Sequence, residues 1–68
     1  MKIDAGSKFI LHKECMEFGW VTMKKGAQGV VVRKNPHMMG DNFEVKVDGI
    51  NKEITVSMRF FENYASLI

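Results

Sequence analysis

Alternation of apolar and polar residues with a period of two is the strongest signal in this chain. In NFEVKVDG, Phe43, Val45 and Val47 fall on one face and Glu44, Lys46 and Asp48 on the other. That is the pattern of a strand with one face in a core and one in water. In KEITVSMRF, Ile54, Val56, Met58 and Phe60 alternate with Thr55, Ser57 and Arg59. The intervening DGIN has the length and the glycine of a hairpin turn. The shared pattern predicts Phe43, Val45, Val47, Ile54, Val56 and Met58 inside, and Glu44, Lys46, Thr55 and Ser57 outside. A third strand is expected in QGVVVRK, less clearly polarised: Val30 and Val32 share one face, Val31 and Arg33 the other. KFILHKECM is the fourth, with Phe9 and Leu11 facing in and Ile10 and His12 facing out, or the reverse.

Helical periodicity is weak throughout. RFFENYASLI predicts a helical turn followed by a short terminal strand. ECMEFGWVTMKKGA is broken by Gly19 and Gly26 and reads as a long irregular excursion between the first two strands, with a short extended piece at Val21 to Met23. AQGVVVRKNPHMMGDNFEVKV then forms a central hairpin. Asn35, Pro36, Gly40 and Asp41 keep its connection out of the sheet, since Pro36 has no N–H to give to a ladder. Five short antiparallel strands in so short a chain are expected to curl into a small barrel, because an open sheet leaves edges exposed.

Composition narrows the classes. Sixty-eight residues allow one domain, residues 1–68, and a domain of this size buries a modest share of its surface and is marginally stable. Cys15 is the only cysteine, which excludes an intramolecular disulfide. A zinc site needs about four ligands at fitting spacing; His12 and Cys15 are close but His37 stands alone, so no metal is expected. Cys15 reads as a small packed side chain, although His12 and Lys13 are the kind of neighbours that activate an exposed thiol. Apolar residues at 46% and charged residues at 26% describe a globular chain. A net charge of +2 permits nucleic-acid binding without requiring it. No stretch has the length of a membrane span, and the first ten residues do not form a signal peptide. A single cysteine without an export signal points to a reducing cytoplasm, and the chain reads as a complete small reading frame without repeat, tag or linker. No Ser-His-Asp arrangement, phosphate-binding loop or paired-carboxylate motif is assignable. A barrel this small has no room for an enclosed substrate pocket. Neither catalysis nor a cofactor is expected.

KKGAQGVVVRK resembles the start of a KOW motif, the Gly-centred element of small SH3-like barrels in transcription factors and ribosomal proteins. There a loop ends in a short Gly-x-x-Gly turn and enters a valine-rich strand, and Gly29 stands at the motif's central glycine. FEVKVDGINKEITVSMRFFENY resembles the remainder of such a barrel, so the likeness runs from Met23 to Tyr64. The hairpin loop KNPHMMGDN departs from it, carrying a Met pair where small and charged residues are expected. The resemblance implies an all-β fold: a five-stranded SH3-like barrel with a long loop after the first strand and a short helical turn near the C-terminus. Gly29 is expected to take a backbone conformation closed to other residues. On the nucleic-acid reading, Lys24, Lys25, Arg33 and Lys34 line phosphates, helped by the amides of Gly26 and Gly29. The alternative is that these side chains solubilise strand ends and loop tips, with Glu14 and Glu17 diluting any basic patch.

Phe18 and Trp20 flank Gly19 in the long loop. In SH3-like barrels, aromatics in that loop build a shallow peptide-binding groove, for which Tyr64 is the expected second wall. The competing role for Trp20 is a plug in the open barrel end. The three rings are expected to meet at the mouth of the loop, with Lys24 and Lys25 at the rim to steer an acidic partner segment. Met38 and Met39, beside His37, form an adaptable exposed surface or fold back on the barrel. Glu44 and Glu53 read as members of solvated strand faces. The leading expectation is a noncatalytic module that binds and modulates another protein, in the manner of a phage or mobile-element accessory or inhibitor protein. A KOW-like nucleic-acid-binding module is second. A self-associating barrel, its edges covered by a second copy, is third.

Overall fold

The alternating segments assemble into one antiparallel sheet in the computed structural model, which describes residues 2–68. The strands are β1 (Lys8–Leu11), β2 (Gln28–Asn35), β3 (Asn42–Val47), β4 (Glu53–Ser57) and β5 (Ala65–Leu67), with one helix, α1 (Met58–Asn63), between the last two. The sheet order is β4-β3-β2-β1-β5. This is the expected all-β plan, with a long excursion after the first strand and a short helix before the last, and it is compatible with an SH3-like small β fold. The ring does not close: β4 and β5 are the two edges of the order and do not pair.

Register follows the alternation. Phe43 lies opposite Val56 and Val45 opposite Ile54 across the β3–β4 turn, and with Val47 they are all buried. Lys46 and Thr55 face water as expected, whereas Met58 is half-buried because the chain leaves the strand for α1 at that residue. Glu44 and Ser57, expected outside, are half-buried too. The weak polarity of β2 has a local cause. The ladder to β3 shifts between Val31 and Arg33, leaving Val32 as an extra residue. Val31 enters the core, Val30 and Val32 are half-buried, and Arg33 lands opposite Glu44.

All five phenylalanines of the chain join in one edge-to-face set. Phe9 meets Phe60 at 5.4 Å and Phe61 at 5.5 Å, and Phe61 meets Phe43 at 5.2 Å. Phe60 also meets Phe18, at 6.0 Å. Rings in this geometry gain beyond the area they bury. Six residues are too few for a helix to be stable alone, and no side chain caps α1 at Ser57. Phe60 and Phe61, both buried, are what hold it on the sheet.

Gly29 corrects one expectation. Its φ lies outside the left-handed region, unlike those of Gly19, Gly26 and Gly49. What excludes a side chain there is space. A Cβ would lie 2.5 Å from the Lys46 carbonyl oxygen and 2.5 Å from Cζ of Phe9. The Phe9 ring reaches the core by passing over the bare backbone of β2. No helix of the described residues is long and apolar enough to cross a membrane.

A candidate interaction surface around the long loop

The excursion from Leu11 to Gln28 is an ordered arm. Its foot is tied by Leu11 N–H to the Ala27 carbonyl (2.8 Å) and Gly26 N–H to the Leu11 carbonyl (2.7 Å). Higher up, Cys15 and Met23 exchange two backbone hydrogen bonds of 2.8 Å, and both side chains are buried. Burial, followed by the nearby Glu17 charge, pushes the Cys15 thiol above its ordinary pKa. This is the packed cysteine, not the activated one.

At the tip, Gly19 and Trp20 take successive left-handed conformations, φ +69° and +59°. Positive φ at two adjacent residues reverses the chain sharply, as in primed hairpin turns. Gly19 rests on Ile54, where a Cβ would come within 2.7 Å of Cγ2. Lys52 Nζ donates to the Gly19 carbonyl at 3.0 Å. The tip is thus docked on the start of β4, and the next side chain, Trp20, is entirely in water at 101% relative exposure. The plug reading of Trp20 is overturned. The aromatic space in the core is filled by Phe60 and Phe61 from α1.

The expected three-ring patch does not form. Among the described residues no ring pair joins Trp20 or Tyr64 to another aromatic. Phe18 turns inward and is half-buried against Phe60. The Arg59 guanidinium lies 5.8 Å from the Phe18 ring and pairs with Glu17 at 2.7 Å. Tyr64 is half-buried with the Lys13 ammonium 5.3 Å from its ring. Its phenol is pushed up first by burial, then by Glu17.

The β2–β3 loop presents the other exposed apolar pair, Met38 and Met39. The loop is internally braced. Met39 N–H donates to His37 Nδ1 at 3.2 Å, and Gly40 N–H donates to the His37 carbonyl at 3.1 Å. Lys34 Nζ sits 3.8 Å from Asp4 and 3.7 Å from Asp41. Met39, Met58 and Arg59 line a shallow cleft of about 370 Å³. Because Arg59 also reaches Glu17 and Phe18, the first turn of α1 lies between the two loops.

The four basic residues named for phosphate binding fall into two pairs. Lys24 and Lys25 lie on a turn closed by Ala27 N–H to the Lys24 carbonyl (3.1 Å). Arg33 and Lys34 lie near the far end of β2, roughly 17 Å of strand away. Arg33 is also engaged elsewhere. Its Nε and Nη2 donate to the two Glu44 oxygens at 2.8 and 3.2 Å, and Nη2 donates to Glu53 at 3.2 Å. The bond from Arg33, and then that from Asn35, hold the Glu44 carboxyl at about 2, well below its ordinary value. Reading Glu44 and Glu53 as merely solvated missed this network. Its only trace in the sequence is opposite charge on neighbouring strands, and the bulge decides which charges meet. Among the described residues no group of three His, Cys, Asp or Glu could hold a metal. No protein-family model, curated protein or solved structure matches the chain.

Proposed function

We propose that the protein is a noncatalytic interaction module that binds another protein through the tip of its long loop and modulates it by occupancy, as an accessory or inhibitor. The observation that carries this reading is Trp20. A bulky residue in the left-handed region is strained, and a whole indole in water is unfavourable as well. The docked turn holds the Trp20 backbone in place, but no contact among the described residues shelters its ring. Strain of this kind gathers at ligand contacts, and Trp is among the residues most enriched as interface anchors. Met16, also exposed, precedes it on the same arm, and Met38 and Met39 offer a second adaptable contact.

The KOW-like nucleic-acid reading keeps some support in Lys24 and Lys25 and in an exposed ring able to stack on a base. The ion pairs of Arg33 and Lys34 count against it. One experiment separates the two. Tagged native protein and Trp20→Ala are used for affinity capture from a cell lysate, with and without nuclease. We expect Trp20→Ala to fold with unchanged stability and lose the captured protein in both conditions. Trp20→Gly should be more stable than native by roughly 0.5–1 kcal/mol, because glycine relieves the left-handed strain. A substantial fall in melting temperature for Trp20→Ala would mean that the ring supports the fold. Capture abolished by nuclease would establish the nucleic-acid reading instead.

A further inference from the structure

We infer that a basic strip, running from Lys8 and Lys46 on the outer face of the sheet around the β3–β4 turn to Lys24, receives an acidic, partly aliphatic peptide segment of the bound protein. The inference rests on the protein-binding reading and names the chemistry of the partner. Charge is unevenly distributed along β2. The carboxylates of Asp4, Glu17, Asp41, Glu44 and Glu53 pair with Arg33, Lys34 and Arg59. Lys8, Lys24, Lys25 and Lys46 pair with no carboxylate of the described residues. The far end of β2 is therefore neutralised and the near end is not.

Two clefts mark the strip. The first, about 280 Å³, has Val30 as its floor, with Lys8 and Lys46 on either side. Val30 pairs with Lys8 on β1 and with Lys46 on β3, which sets the two lysine Cα atoms about 10 Å apart on one face. Two carboxylates three residues apart in a polyproline II segment share one face at nearly the same spacing, since that helix has three residues per turn and rises about 3.1 Å per residue. The second cleft, about 360 Å³, has Met23, Ala27, Val47 and Ile50 as its apolar lining and Lys24 at its margin. Asp48 lines both clefts, so they adjoin, and it is the only carboxylate in either. Its backbone is fixed by a 2.8 Å bond from its N–H to the Gln28 carbonyl. Lysines without partners beside aliphatic floors complement a segment of Glu or Asp with Leu, Ile or Val. No aromatic side chain lines either cleft. A single-stranded nucleic acid would find no stacking platform there, which favours the peptide.

The test is fluorescence anisotropy with three probes at about 0.15 M salt, where screening leaves only close charge contacts. The probes are a synthetic peptide of Glu, Leu and Pro, the same peptide with Gln for Glu, and a dT oligonucleotide of equal formal charge. The proteins are native, Lys8→Glu, Lys24→Glu, Lys46→Gln and Trp20→Ala, each checked for an unchanged melting temperature. We expect native protein to prefer the acidic peptide by about tenfold over both other probes, and each charge reversal to weaken it by about tenfold. Equal binding of the Gln peptide would overturn the inference. So would lysine variants that bind as native does, or an oligonucleotide that binds tighter than the peptide and is lost in the same variants. The same proteins in the capture experiment tell the two proposals apart. If Trp20→Ala loses the partner and the lysine variants keep it, the strip is wrong and the Trp20 reading stands. If the lysine variants lose it and Trp20→Ala keeps it, the strip stands and Trp20 is not the anchor.

Discussion

Any side chain added at Gly29 meets an obstacle of space, whereas the side chain present at Trp20 meets one of torsion. The two positions therefore respond to substitution in opposite ways. At Gly29 one obstructing atom is the Lys46 carbonyl oxygen, 2.5 Å from where a Cβ would be. A ring can turn away, but a backbone oxygen in a ladder cannot move without disturbing β3. Gly29→Ala should cost toward the upper end of the roughly 1–3 kcal/mol usual for overpacking, although alanine is otherwise the better strand residue. A denaturant midpoint equal to that of the native protein would refute this. The glycine was visible in the sequence, but the reason for it was not. The Gly-x-x-Gly spacing of Gly26 and Gly29 suggested a turn conformation, whereas the constraint is the approach of the Lys46 carbonyl oxygen on β3 and of the Phe9 ring on β1, both remote in sequence.

Elements β3 and β4 were legible because each keeps one face in water, so the alternation survives in the residue types. β2 was only partly legible. Both its faces are partly covered, and the bulge at Val32 shifts its phase halfway along. That same shift sets Arg33 against Glu44 and gives the pair a pH signature. The folded chain holds the Glu44 carboxyl at about 2 against an ordinary 4.5, so the unfolded chain binds that proton more readily. The pair's contribution to stability is present above 4.5 and is lost as the pH falls toward 2. Melting curves of native protein and Glu44→Gln should converge over that interval. A gap that stays constant would show that the carboxylate is not what the pair contributes. In α1 the alternation marked Phe60 as an inward residue but not its neighbour Phe61. A helix that turns two adjacent rings inward against the sheet satisfies neither a period of two nor one of 3.6.

The whole molecule has little stability to lose, since folded domains hold about 0.05–0.15 kcal/mol per residue. Phe60→Ala removes a ring in edge-to-face contact with Phe9, Phe18 and Phe61, and such truncations cost about 3–5 kcal/mol. We expect that variant to be largely unfolded at room temperature by circular dichroism; a cooperative melt near that of the native protein would show that the rings are not the core's mainstay. At this scale the sequence conveyed the balance of charge but not its segregation, which depends on register. It named Trp20 but not its direction, because the rings that exclude it arrive from the far end of the chain. Cys15 is sealed in the arm by its paired backbone bonds with Met23. A thiol dye added to the native protein can react only in the moments when that seal parts, so its labelling rate is a clock for breathing of the arm. The clock should run at the native rate in Trp20→Ala, whose lost ring touches nothing inside, and faster in Gly29→Ala. If the rate follows added denaturant as steeply as global unfolding does, the arm and the sheet come apart as one unit. If it is nearly independent of denaturant, the arm opens by itself, and the binding tip can move while the sheet beneath it stays whole.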